Sequence, residues 1–335
     1  MDLYNIPHDN GVDFRLNKFV EYQHKVPPIG PTTYMAYAKS NKLTPNDCIV
    51  LAWYFSMTYC EITSIFMLNT LFSGITKHEA KNYWKNNKPY LQFVSARRYV
   101  KNMDWFIPLL GKFTVATKGY PFEWLSRISQ ANTPEDSYNQ VYRELVSWKY
   151  MGRFSVELFT DAIVRMSREG MLKGLSFIGT GFEWKRGSNI TSGMLNMFYM
   201  DKEADTYDKT TMLSSKSIEA LNQNIKIVQR EVKKAYPEQD TSISVITPKM
   251  CSWRNLFKGS RYGGYHHDRQ LEQLIGYEKS YYNDENALYL FQELYELRKT
   301  IFDPVLLGEL GGWTGIRKER KKLWITEGVT GVEAK

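Results

Sequence analysis

The sequence predicts a mainly α fold, and three observations predict it. Threonine-led helix starts recur at Thr44, Thr76 and Thr133, apolar residues return at three- and four-residue spacing over long stretches, and only Ile243 to Ile246 alternates as a short strand would. At Thr44-Pro45-Asn46-Asp47 a threonine cap, a proline at the first helical position and an acid at the third precede the apolar run from Ile49. The run from Cys48 to Phe72 is the most apolar in the chain, but Glu61 and Asn69 interrupt it. A membrane span needs about 20 consecutive apolar residues, so a buried helix or helix pair is expected and no membrane partner.

Thr76-Lys77-His78-Glu79 has capping-box spacing and opens a short helix toward Trp84. Thr133-Pro134-Glu135-Asp136 repeats the first signal and leads into Val141, Leu145 and Trp148, with Gly152 as the expected stop. A second helix with Phe154, Leu158, Ile163 and Met166 on its apolar side and Gly170 at its end completes a helical hairpin over 134–169. A long helix over about 216–235 follows, with Ile218, Leu221, Ile225, Val228 and Val232 on one side. Two more are expected near 268–281 and 284–302.

The 335 residues exceed what one core usually holds, roughly 250–300. One large domain is expected, or two intimately packed lobes, about 1–132 with the C-terminal helices and 133–250. With 43% hydrophobic and 24% charged residues the chain can bury a core, which excludes a disordered or fibrous protein. Cys48, Cys60 and Cys251 are odd in number and lack CxxC spacing, which argues against a disulfide framework, a structural zinc site and an iron–sulfur cluster. The start MDLYNIPHDN lacks the basic and apolar run of an export signal, so a cytoplasmic location is expected.

The formal charge of +8 and the 23 tyrosines lean toward an anionic partner, nucleic acid or polyphosphate. Three irregular stretches, 179–196, 251–269 and 308–322, concentrate glycine, cations and aromatics, and binding residues are expected there. Within Cys251 to Arg269, Arg254, Lys258, Arg261 and Arg269 stand against Asp268 alone, interleaved with Trp253, Phe257, Tyr262 and Tyr265. Arginine forks bind phosphate bidentately and aromatic faces stack on bases; a solvated basic loop is the alternative. His266 and His267 are candidate acid–base groups, and without HxH, HxxxH or HExxH spacing no metal site is expected. In the second stretch Glu183, Lys185, Arg186, Asn189, Thr191 and Ser192 place one carboxylate among anion and amide donors, without the order of a P-loop; an ordinary Asn/Ser/Thr-rich turn is the alternative. A separate segment, Ser95 to Asp104, would bring Arg97, Arg98 and Lys101 beside successive phosphates if helical; a solvated face is the alternative. The tail Arg317 to Lys322 reads as non-specific backbone affinity or solubility.

Taken in order, the aromatic-rich helix from Thr44, SARRYVKNMD, WKYMGRFSVELF, FEWKRGSNITSGM, CSWRN and RYGGYHHDRQLEQL resemble the phage family of alpha-glutamyl/putrescinyl thymine pyrophosphorylases, also described as amino acid:DNA transferases. The resemblance runs from about Thr44 to the helix after Asp268 and is most specific at Cys-x-Trp-Arg and Tyr-x-Gly-Tyr-x-x-Asp-Arg. It implies a helical bundle distantly similar to helix-hairpin-helix DNA glycosylases. It also implies an enzyme acting on phage DNA in the host cytoplasm, in which a small amine or amino acid displaces pyrophosphate from a pyrophosphorylated 5-hydroxymethyluracil. The hairpin at Trp148 to Phe159 departs from the glycosylase pattern, with Gly152 as its one glycine.

That reaction assigns roles to the residues above. A flipped base would be held against Trp253 or Tyr265, with Tyr262 beside them. Arg254, Lys258, Arg261 or Arg269 would stabilise the leaving pyrophosphate. Glu183, Asp268 or His267 would deprotonate the amine. Lys185, Arg97 or Arg98 would clamp an amino-acid carboxylate. No cofactor is expected, although a divalent cation could assist the leaving pyrophosphate; the amine and the oligomeric state are not written in the sequence. A base-excising glycosylase using Asp201, Asp205 or Asp208, and a non-catalytic DNA-binding protein, are the competing readings.

Overall fold

In a computed structural model of the chain, the described residues are 12–25, 32–71, 75–91, 93, 102–179, 189–198, 213–257 and 285–301. They are mainly helical, with no strand among them. The helices are α1 (Val12–Lys25), α2 (Thr32–Ser40), α3 (Pro45–Thr58), α4 (Glu61–Thr70), α5 (Lys77–Asn87), α6 (Met103–Thr117), α7 (Pro121–Ile128), α8 (Pro134–Val146), α9 (Arg153–Arg168), α10 (Asn189–Phe198), α11 (Ser215–Ala235), α12 (Ile243–Phe257) and α13 (Glu285–Ile301). They fall into two compact units, one holding α1 and α10 to α12, the other α2 to α9 and α13. This division differs from the lobes drawn from the sequence: the hairpin α8–α9 belongs with α3, because Trp148 and Phe159 both pack against Trp53.

The larger unit is built around α3, which is buried from Cys48 to Thr58 because its apolar residues run all the way round. Its start follows the expected capping box: Thr44 accepts from the Asp47 backbone, and the Asp47 carboxylate accepts from the Thr44 N–H. At its end Tyr59 turns into the left-handed region at φ 53° and donates its N–H to the Phe55 carbonyl, so the apolar run divides into the pair α3 and α4. No described helix is long and apolar enough to cross a membrane. Thr44→Ala is expected to cost about 1 kcal/mol, read as a lowered urea midpoint with an unchanged helical circular-dichroism spectrum.

Thr76 and Thr133 cap α5 and α8 as the sequence predicts, accepting from Glu79 N and Asp136 N. Two details of the hairpin differ. Gly152 does not stop α8, which ends at Val146; it is the residue before α9, in an extended conformation that starts the next helix. Ile163 and Met166 are buried as expected, but Phe154 is exposed and Leu158 half-buried, and Val156 and Phe159 complete the buried side of α9. Gly170, at φ +72°, follows the end of α9 as expected.

The smaller unit corrects the strand. Ile243 to Ile246 begins α12, with Val245 and Ile246 donating to the Ser242 carbonyl, and Ile246, Met250 and Trp253 bury one helical face. Four apolar residues are too few for periodicity to separate strand from helix. Parts of the stretches read as irregular are likewise helical: 189–196 lies in α10 and 251–257 at the end of α12. The long helix α11 buries Leu221, Ile225, Val228 and Val232 as predicted.

Gly193 sets the approach of α10 to α12. A Cβ there would lie 2.1 Å from the Met250 carbonyl oxygen, a backbone atom with no rotamer to escape into. Gly193→Ala therefore forces the helices apart and is expected to cost about 3 kcal/mol, the upper end of overpacking, measured as loss of urea stability.

Candidate functional site

Most residues that the sequence singles out lie outside the described residues: Arg97, Arg98, Lys101, Glu183, Lys185, Lys258, Arg261, Tyr262, Tyr265, His267, Asp268 and Arg269, as do Asp201, Asp205 and Asp208. Two more are placed by backbone alone, Asn189 at the first position of α10 and Arg254 in the last turn of α12. The remaining two, Ser192 and Trp253, are described in full, and they sit on the paired helices that carry Gly193 and Met250.

Both are core residues, 2% and 1% exposed. The Trp253 ring meets Phe19 edge-on at 5.3 Å and Tyr22 at 6.1 Å, tilted. Its surface is thus taken up by α1 and is not offered to a nucleobase, so of the two stacking candidates only Tyr265 remains. Trp253 does something else: three residues from Met250 on the buried face, it anchors the end of α12 against α1.

Two cations that sequence reading passed over are buried in this unit. Arg15 donates Nε–H to the Met197 carbonyl at 2.8 Å, in the last turn of α10. Lys249 donates Nζ–H to the Gln23 carbonyl at 2.6 Å, in the last turn of α1, with its ammonium 5.9 Å from the Tyr22 ring centre. Final-turn carbonyls have no partner within their own helix and carry the negative end of the helix dipole, so a cation there is favoured. Part of the chain's positive charge is therefore structural. No local sequence signal finds these bonds, which join residues 182 and 226 positions apart.

The larger unit carries a second polar locus. Along α9, Arg153, Glu157, Asp161 and Arg165 recur at i, i+4, with ion pairs of 3.3 Å between Arg153 and Glu157 and 2.9 Å between Asp161 and Arg165. Burial pushes the Glu157 carboxyl up to about 7, against the opposing effect of Arg153. On α4 the buried Glu61 accepts the Tyr34 N–H at 2.7 Å in the first turn of α2, an N–H that lacks a helical partner. Burial, then Asp161 and Glu61, raise the Tyr34 phenol well above its ordinary value. The spacing 153, 157, 161, 165 was legible in the sequence; the burial that perturbs Glu157 was not.

A raised carboxyl pKa has a signed consequence. Between about pH 4 and 7 the folded chain holds a proton at Glu157 that the unfolded chain has released, so this contribution is complete below pH 4 and lost as pH rises through about 7. Glu157→Gln is expected to flatten that fall and to stabilise the protein at pH 8 by about 1–3 kcal/mol, checked by urea unfolding at pH 5 and pH 8. Equal stability changes at both pH values would contradict the assignment.

Among the described residues, no three His, Cys, Asp or Glu side chains gather as a metal site would require. Compared with protein-family models, with curated proteins and with solved structures, the chain finds no match in any of the three.

Proposed function

We propose that the chain is an amine:DNA transferase that acts on a pyrophosphorylated 5-hydroxymethyluracil. The observation that carries the reading is the segment from Cys251 to Arg269, with four permanent cations against one acid among tryptophan and tyrosine, in the motif order described above. The mainly helical architecture is compatible with it. In the reaction the amine nitrogen forms a bond to the base's 5-methylene carbon while the carbon–oxygen bond to pyrophosphate breaks. The electron pair leaves on the pyrophosphate oxygen, and the proton lost by the amine passes to the general base.

The parts match that balance. Arg254, Lys258, Arg261 and Arg269 neutralise charge that grows on the leaving group, an interaction stronger in the transition state than before it. Glu183, Asp268 or His267 takes the proton. Tyr265 supplies the stacking face for a flipped base. Arg97, Arg98 or Lys185 holds the carboxylate when the amine is an amino acid, and a divalent cation would act on the pyrophosphate oxygens.

The test is mass spectrometry of nucleosides after the protein is incubated with DNA containing the pyrophosphorylated base and a mixture of amino acids and polyamines, with and without Mg²⁺. A new nucleoside in which the amine has replaced the pyrophosphate, with equimolar pyrophosphate released, is expected. Release of a free base would establish the glycosylase reading instead, and salt-dependent binding without any product the non-catalytic one.

A further inference from the structure

We infer that the lysine ridge of α5, formed by Lys77, Lys81, Lys85 and the adjoining Lys88, docks the phosphate backbone of double-stranded DNA. The inference rests on the reading that the substrate is DNA, and it names a surface that the reading did not include.

Lys77, Lys81 and Lys85 stand at i, i+4 and i+8 on one flank of the helix; Lys88 follows in the 3-10 turn Lys88–Tyr90, and all four are exposed. None forms an ion pair with a described residue. The one acid of the helix, Glu79, is engaged in the capping box on another side. Like charges at i, i+4 destabilise a helix, and a cation at the first position opposes the helix dipole. The ridge is therefore an arrangement whose repulsion a bound polyanion would relieve.

Its frame is rigid. The opposite side of α5 is fixed by Ala80, Tyr83 and Trp84, with the Trp84 ring 4.7 Å from Phe106 of α6 and the Tyr83 hydroxyl 2.9 Å from that of Thr70. Because this apolar side is already buried in the protein, the helix cannot insert into a lipid surface and acts by charge alone. From Lys77 to Lys85 the helix axis advances about 12 Å. Duplex DNA presents one phosphate per strand in about 3.4 Å of axis, so the ridge spans three to four phosphates of one strand.

A second cationic face separates position from net charge. On α11, Lys226, Lys233 and Lys234 are also exposed, but Lys233 and Lys234 lie in the last turn, where the helix dipole favours them, and Arg230 between them is paired with Glu231 at 2.9 Å. Lys85, in the last turn of α5, and Lys88, at its C-cap, share that dipole explanation; what sets the α5 row apart is Lys77 at the unfavourable first position and the absence of an acid beside the lysines, where α11 has Glu231 among its cations.

The experiment measures binding of the full chain to an unmodified 30-base-pair duplex by fluorescence anisotropy between 50 and 200 mM NaCl. Three proteins are compared: wild type, Lys77→Gln/Lys81→Gln/Lys85→Gln, and Lys226→Gln/Lys233→Gln/Lys234→Gln. Each contact contributes about 0.9 to the slope of log K against log salt. The α5 variant is expected to lower that slope by about 2 to 3 and to leave kcat on saturating DNA unchanged, while the α11 variant changes the slope by less than half as much. Equal slope changes in the two variants, an unchanged slope in the α5 variant, or loss of binding to anionic phosphatidylserine vesicles without a change on DNA would overturn the inference. The transferase reading fails separately, if wild type forms no new nucleoside while the α5 variant still lowers the slope.

Discussion

Trp53→Ala is expected to destabilise the larger unit by about 3–5 kcal/mol, the cost of emptying a large aromatic site in a core. Trp53 is wholly buried on α3, stacked on Phe113 of α6 at 4.7 Å and edge-on to Trp148 at 5.6 Å and Phe159 of α9 at 6.0 Å. Trp124 of α7 closes the cluster, 5.8 Å from Trp148 and 5.9 Å from Phe113. One ring thus joins α3 to α6, to α9 and to the turn after α8, and these neighbours cannot all collapse into the space it leaves. Trp53→Phe keeps an aromatic ring and should cost less than half as much. Urea unfolding followed by tryptophan fluorescence and by circular dichroism reads both variants. A loss below 1 kcal/mol for the alanine variant would show that Trp53 is not the centre of this core.

Arg254→Ala and Asp268→Asn are expected to lower the rate of amine transfer by about 10²–10³-fold each. Loss of one preorganised donor to developing charge, or of one positioned base, has that size. The two should differ in kind. Removing the arginine takes away one of the four proposed cations at every pH, whereas removing a base is partly offset at alkaline pH, where more of the amine is already neutral. Arg254 follows Trp253, so a control is available: Trp253→Phe, a change within the core formed with Phe19 and Tyr22, should lower stability before it lowers kcat. Full transfer activity in the arginine and aspartate variants would remove both from the mechanism.

The features legible in the sequence were those decided by neighbours in the chain. Thr44, Thr76 and Thr133 cap their helices because a threonine hydroxyl and the backbone three residues on are brought together by the helix itself. The buried face of α11 was legible because 21 residues of regular spacing leave no alternative period. What escaped depended on distant partners. A tryptophan at a basic loop reads equally as a stacking surface or as a core residue, and Phe19 and Tyr22, far away in sequence, decide for the core. Arg15 and Lys249 carry no local mark of burial in the sequence; the Met197 and Gln23 carbonyls that they cap lie far along the chain. The Glu157 carboxyl belongs to the same class: its i, i+4 partner is visible in the sequence, but the burial that raises it comes from the fold.

The proposed transfer of an amine to a DNA base is decided with duplex DNA carrying pyrophosphorylated 5-hydroxymethyluracil and a ¹⁵N-labelled amine mixture, followed by complete nucleoside digestion and mass spectrometry. A transferase yields a nucleoside that carries the labelled nitrogen on its 5-methylene carbon and one pyrophosphate released per base modified. An unaltered pyrophosphorylated nucleoside under every amine, from protein that is folded and binds the DNA, would contradict the proposed transfer.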